Sequence, residues 1–536
     1  MTSPTAQDLP PELLSKIFFF KLRSEQPELD HSKIHIPDYR TWYNVLTVCR
    51  YWYNIAIGCP QLWDYISSSL PPTHAQLFLS RSKQVPLRIQ PTGSHHQPKV
   101  QNAESLRLIL NEAHRIQHLC IIITWDVADV LGASHLPLPL PLPMIQYLDI
   151  DKRIPDSLPM DDDEQEPATS ESPPFPFCNT PHLSTLYIAG YTLGQVKHLF
   201  QPTLRRISLL LYDDVEEDDD IPPRIDEICN HLRTMPLLEY IDIPTWLDNE
   251  HPLPPRFPVV SLQHLQVLKV QLNIPDASFL RSLTFPPGLK LHLAAQCLDF
   301  DAGAFQGVFE HCVVACGFAS PVSPGKAVRA LQLSQSPHWT FTLKCWTSDA
   351  AFDVEGGDVK GTKPAELELD FEYSTGSDML GVYETVQQCV DVSSIETLSL
   401  ALAHDQDWWE SDAVQTIAES FSNLKNLRVL IAIRWQLDRL YSVLREPLYR
   451  KPDPASSRFI FPALKEIYAP HLTLLDKTDP NLHELAGPEV TIYDSMFRFH
   501  VWKDNFKDSS SPGVLEELRS QLPAVVIHDS KLRDKD

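Results

Sequence analysis

"PHLSTLYI", Pro181 to Ile188, decides how most of this chain reads. A proline leads it, and Leu183, Leu186 and Ile188 follow at apolar spacing. Alternating apolar positions make a strand with one buried face. The same core, L-x-x-[LI]-x-[LIVA], recurs in "PTLRRISL" (Pro202 to Leu209), "PLLEYIDI" (Pro236 to Ile243) and "LQHLQVLKV" (Leu262 to Val270). It returns in "IETLSLAL" (Ile395 to Leu402), "LKNLRVLIA" (Leu424 to Ala432) and "PALKEIYA" (Pro462 to Ala469), with "PGLKLHL" (Pro287 to Leu293) as a shorter variant. Successive leading leucines stand 21 (Leu183 to Leu204), 34 (to Leu238) and 27 (to Leu265) residues apart, and Leu427 to Leu464 is 37. Helical matter lies between the strands. "ESLRLILNEAHRIQHLCI" (Glu104 to Ile121) reads as an amphipathic helix running into a strand, and "DAVQTIAESFSNL" (Asp412 to Leu424) as another helix. Short parallel strands joined by helices at these spacings predict an α/β array of units stacked in one dimension.

The pattern resembles an irregular leucine-rich repeat. That resemblance implies a solenoid, or horseshoe, over residues 104–530, made uneven by the near absence of an asparagine ladder. Several stretches interrupt it. "LPLPLPLPM" (Leu136 to Met144) reads as an extended rigid connector, with an SH3-type ligand as the other reading. The acidic, Ser/Pro-rich segment near 155–178 reads as a disordered loop. The region from Phe300 to Tyr373 is the least regular and has room for an inserted hairpin.

Totals narrow the function. The chain has 536 residues, 43% of them hydrophobic, enough for a sizeable core or a long array. Its 47 prolines against 17 glycines argue against glycine-hinged nucleotide folds. A formal net charge of −25 repels phosphate backbones and anionic lipid, so nucleic-acid and membrane partners are disfavoured. The same charge favours a partner with a basic segment, or simply keeps the chain soluble. Ten scattered cysteines, with no leader-like N-terminus, point to reduced thiols in the cytoplasm or nucleus.

The front of the chain differs from the rest. "LPPELLSKIF" (Leu9 to Phe18) places prolines at a helix start and apolar residues on one face. "VCRYWYNIAIGCPQLW" (Val48 to Trp63) adds a tryptophan-bearing helix stopped by Gly58 and Pro60. With a further helical pattern from Arg40 to Cys49 (Tyr43, Leu46), the three short helices bury little alone, so such a module completes its core on a partner or on its own chain. These residues resemble the F-box: its leading Leu-Pro, its Val-Cys-Arg-x-Trp and its closing Pro-x-Leu-Trp. "LFLSRSKQVPLRI" (Leu77 to Ile89) is similar to the segment that follows the F-box in the F-box-like family of mushroom-forming fungi. The link from Leu22 to Tyr39 is longer and more polar than the F-box pattern.

The resemblance implies a module at 1–70, a connecting segment at 71–103, and docking onto a Skp-type adaptor of a cullin–RING ubiquitin ligase. The adaptor-binding residues it implies are Leu9, Pro10, Pro11, Leu13, Leu14, Ile17, Phe18, Val48, Cys49, Arg50, Trp52, Ile55, Leu62 and Trp63. The repeat region would capture an unidentified protein target. Loop residues that suit a basic target are Asp213, Asp214, Glu216 and Glu217, with Trp408 and Trp409 in "DQDWWESD". A solvated charge run and packed tryptophans are the plainer readings of those loops. The other functional reading is a repeat scaffold with a vestigial F-box.

No phosphate-binding glycine loop, nucleophile elbow or H-E-x-x-H occurs, so no cofactor, metal or catalytic residue is expected and the chain reads as a non-catalytic subunit. "HCVVAC" (His311 to Cys316) offers too few ligands for zinc and reads as a helix with inert thiols.

Overall fold

The computed structural model describes residues 9–24, 44–91, 93–94, 97–98, 101–124, 127–128, 139–152, 175–211, 225–247, 258–273, 278–286, 289–297, 302–319, 325–335, 340–348, 352–355, 358–361, 365–373, 385–401, 424–433, 463–468, 498–502 and 525–528. The chain is mixed α/β, with a helical front end and long parallel strand ladders. It divides into two compact units, residues 1–223 with 230–245, and residues 224–229 with 246–536.

In the first unit, helices α1 (Pro11–Ser24), α2 (Arg50–Gly58) and α3 (Pro72–Ser82) precede most of the sheet, and α4 (Ala103–Leu110) follows its second strand. The strands are β1 (Tyr65–Ser67), β2 (Leu87–Gln90), β3 (Ile116–Ile123), β4 (Tyr147–Lys152), β5 (Thr185–Tyr191), β6 (Arg206–Leu211) and β7 (Tyr240–Leu247). Each pairs in parallel with the next in chain order. The register lines up Ile66, Ile89, Leu119, Leu148, Leu186, Ile207 and Ile241 as one apolar rung, all buried. Parallel pairing needs a crossover between strands, which the intervening helices and loops supply.

The proline-led signature has a local cause. Pro181, Pro202 and Pro236 each take the second position of a tight turn, where a fixed φ near −65° is already the required value. The turns close from Leu183 N–H to Thr180 C=O (3.0 Å), Leu204 to Gln201 (3.1 Å) and Leu238 to Met235 (3.3 Å). Each leading leucine is therefore placed, fully buried, just ahead of its strand. The residue after it carries a carbonyl that accepts two consecutive N–H groups from the next unit. Ser184 C=O accepts from Arg205 and Arg206, and Arg205 C=O from Glu239 and Tyr240. Arg205 also ion-pairs with Glu239 along this row.

A buried arginine locks the C-terminal end of α3. Arg115, 4% exposed, donates to Ser82 Oγ (3.1 Å), Val85 C=O (3.0 Å) and Leu79 C=O (3.4 Å), and its charge is met by Glu112 at 2.9 Å. It thus fills carbonyl groups that a helix end leaves open. The extended reading of "LPLPLPLPM" holds at Leu140–Pro141, whereas Pro143 and Met144 lie in a turn closed by Ile145 N–H to Leu142 C=O at 3.2 Å. Leu140–Pro141 pairs in parallel with Phe177–Cys178, and Leu140 N–H donates to Pro176 C=O at 2.8 Å.

The second unit contains β8 (Val267–Asn273), β9 (Lys290–Cys297), β10 (Ala330–Gln335), β11 (Thr340–Trp346), β12 (Leu367–Tyr373), β13 (Thr397–Ala401), β14 (Val429–Ile433), β15 (Glu466–Tyr468), β16 (Arg498–Trp502) and β17 (Val525–His528). Here chain order and spatial order part. β12 lies beside β9, β11 is antiparallel to both β12 and β10, and β10 pairs in parallel with β13. From β13 to β17 the order is again sequential and parallel. The irregular region before Tyr373 thus holds a reversed three-strand section, with a further antiparallel pair at Phe352–Glu355 and Asp358–Gly361. The paired-carbonyl turn persists: Arg329 C=O accepts from Glu396 and Thr397, and Glu396 C=O from Arg428 and Val429. Helix α5 (Ala302–Ala315) carries Cys312, buried as is the following Cys316. Burial pushes both thiols up, Cys316 to about 12, which is the inert state expected for "HCVVAC".

Candidate docking site

The front module is built on two prolines. Pro10 C=O accepts from Leu13 and Leu14 N–H (3.0 and 3.1 Å), opening α1 with Pro11 as its first residue, where proline's missing N–H costs nothing. Tyr51 of α2 donates to Leu9 C=O at 2.9 Å and ties the two helices at their heads. Cys49 caps α2: its sulfur accepts from Trp52 N–H at 3.5 Å. A further helical stretch covers 44–47.

The apolar residues of α1 fall into two stripes, because each residue advances a helix by about 100°. Leu14 and Phe18 turn inward and are buried, with Phe18 packed on Trp52 at 5.0 Å between ring centroids. Leu13 and Ile17, each 47% exposed, and Phe20, 68% exposed, share the other stripe. Val48 (57%) and Tyr53 (42%) add exposed apolar surface in and beside α2. Contiguous exposed apolar side chains of this size mark an interaction surface more often than a solvated one.

The residues after α2 do the opposite job. Leu62 and Trp63 are buried. The Trp63 indole N–H donates to Ala56 C=O at 2.9 Å, its ring meets Phe78 edge-on at 5.0 Å, and the Arg81 guanidinium lies 4.3 Å over it. Trp63 thereby joins α2 to α3 as core.

Of the other residues the sequence nominated, Pro10, Pro11 and Arg50 are exposed, while Leu9, Cys49, Trp52 and Ile55 are half-buried. Phe20 and Tyr53 were not nominated. The 13/17/20 spacing, one residue out of phase with 14/18, was the available signal for Phe20. Asp213, Asp214, Glu216, Glu217, Trp408 and Trp409 lie outside the described residues, as does most of the Leu22 to Tyr39 link.

Among the described residues, no helix is long and apolar enough to cross a membrane. Among the described residues, one group offers metal-type ligands: His292, Glu368 and Asp370, on the neighbouring strands β9 and β12. His292 is already engaged with Asp370 at 2.9 Å, and Lys344 pairs with Glu368. That arrangement is a charge network spanning three strands.

Residues 6–69 match the F-box-like family, so the chain carries an F-box-like domain there. F-box-like domains act in general as docking modules of ubiquitin ligases. No curated protein matches the chain. Among solved structures, "Crystal structure of TLR13-ssRNA13 complex" aligns with 67% of this chain at 11% identity and a TM-score of 0.23. The alignment spans 42% of that chain, under half its length, and at that score it carries no weight for the fold.

Proposed function

We propose that this chain is a non-catalytic substrate receptor of an SCF-type (Skp–cullin–F-box) ubiquitin ligase. The F-box-like module at 1–70 docks a Skp-type adaptor, and through it a cullin–RING ligase. The region 104–530, read as an irregular leucine-rich-repeat-like array, holds a protein target in the cytoplasm or nucleus. Residues 71–103 join the two, and their strand β2 is already paired on both sides. Transfer of ubiquitin falls to other subunits, so this chain supplies proximity and orientation.

The observation that carries the reading is the outward stripe Leu13, Ile17 and Phe20, beside a core that Leu14, Phe18, Leu62 and Trp63 complete from within the chain. An apolar face left over after the core is filled fits a partner helix. Support for the repeat array is the recurring turn, its doubly used carbonyl and the in-register parallel ladder. The test is co-elution of the full chain with a purified adaptor and cullin amino-terminal domain on size exclusion. Failure of the well-folded chain to enter that complex removes the ligase role.

A further inference from the structure

The sheet face of the first unit turned away from the apolar core carries a repeated pair of side chains. "YLDI" in β4 and "YIDI" in β7 each set a tyrosine two residues before an aspartate, so both point to that face. The Tyr240 hydroxyl donates to Asp242 at 2.9 Å, and Tyr147 reaches Asp149 at 3.4 Å. Between them, Asp149 stands in register with Tyr187, Tyr187 with Ser208, and Ser208 with Asp242. The Tyr147 and Tyr187 rings lie 5.7 Å apart. Asp151 adds a third carboxylate on β4, while Arg206 is the one guanidinium among the described residues of this face from β4 to β7. Burial, then the neighbouring aspartates, push the Tyr147 and Tyr240 phenols well up, so both stay neutral donors in a negative field.

We propose that this face binds an extended basic segment of a target protein, laid across the strands. Two of its arginine or lysine side chains, about four residues apart, would sit on Asp149 and Asp242, with their stems over Tyr187 and Tyr240. The spacing follows from geometry. Three strand separations put the two aspartates roughly 14 Å apart, and same-side residues of an extended chain recur about every 6.7 Å. Carboxylates beside aromatic faces suit a guanidinium, which pairs and stacks at once. The net charge of −25 draws such a segment in. This inference rests on the reading of the repeat region as a target receptor, and it names the target's chemistry.

The test is fluorescence anisotropy with the full chain and a labelled peptide holding two arginines about four residues apart in a serine–threonine background. We expect saturable binding that weakens with salt and falls at least about tenfold when the arginines are adjacent. We expect a similar loss in an Asp149→Asn/Asp242→Asn variant whose circular dichroism is unchanged. An Asp149→Lys/Asp242→Lys variant should prefer the peptide with glutamates in place of arginines. Absent binding, indifference to arginine spacing, or full binding by the Asn variant would each overturn the proposal. The arginine-spacing arms use only the wild-type chain, so they decide even if a variant fails to fold. Adaptor binding is read separately. A chain that holds the adaptor but no basic peptide loses this inference alone, and one that binds the peptide but no adaptor loses the ligase reading alone.

Discussion

Replacing Trp63 by phenylalanine separates a core residue from a docking residue. The indole is fully buried, and its N–H donates to Ala56 C=O at 2.9 Å. That carbonyl also accepts from Cys59 N–H at 3.4 Å, so the loss leaves it weakly satisfied and costs about 1 kcal/mol, the low end for a buried hydrogen bond. Trimming the second ring leaves a void worth about 1 kcal/mol. Weakening the Arg81 contact, 4.3 Å over the ring, adds about 0.5–1 kcal/mol. The sum, near 3 kcal/mol, corresponds to roughly a hundredfold more frequent local opening. Hydrogen-exchange mass spectrometry reads this in peptides covering 50–63 and 72–82, with a peptide from β13 as internal reference. Unchanged exchange together with lost adaptor binding would refute the reasoning, because Trp63 would then be an anchor for the partner.

Three further outcomes are expected. Gly190 has φ +82°, and a Cβ there would meet Lys152 C=O at 2.5 Å and Lys152 Cβ at 2.8 Å. Gly190→Ala should therefore destabilise the β4–β5 pairing by about 2–3 kcal/mol, seen as a lower urea midpoint. Burial alone would raise the Asp370 carboxyl, but hydrogen bonds from His292 and Thr342 hold it below the usual carboxylate range. A depressed carboxyl stabilises above its unfolded value and loses that contribution as pH falls through the folded one. The stability gap between wild type and His292→Ala should thus close as pH falls through the folded Asp370 value; a gap that persists below it would contradict the pairing. Burial pushes the Cys312, Cys316 and Cys345 thiols up, so iodoacetamide should modify the half-buried Cys49, Cys59 and Cys178 before those three in the native chain, as read by peptide mapping.

The proline-led strands were legible in the sequence because turn chemistry and alternation agree at the same residues. Pro181 and Leu183 fix a turn whose exit is the strand, and Leu186 and Ile188 fix its buried face. Strand order in the second unit was not legible. "ALQLSQ", "TFTLKCW" and "LELDFEY" alternate just as the parallel strands do, and alternation reports a face without a direction or a neighbour. The front module divides the same way. "LLSKIF" shows an apolar helix, yet Leu13 and Leu14 are adjacent in sequence and lie on opposite sides of the core boundary. Hydrophobicity does not distinguish a residue buried by its own chain from one exposed for a partner. The Tyr–Asp pairs of β4 and β7 are visible as repeated letters, but about ninety residues separate them, and only the parallel register brings them onto one face.

The most direct measurement is calorimetric titration of the full chain with a purified Skp-type adaptor, set beside a Leu13→Asp/Ile17→Asp variant and the Trp63→Phe variant. We expect wild type to bind and the double aspartate variant to lose binding beyond detection while keeping wild-type hydrogen-exchange protection, because both side chains already face solvent. Undiminished binding by the double aspartate variant, or none by the folded wild-type chain, would contradict the assignment of this face as the docking surface.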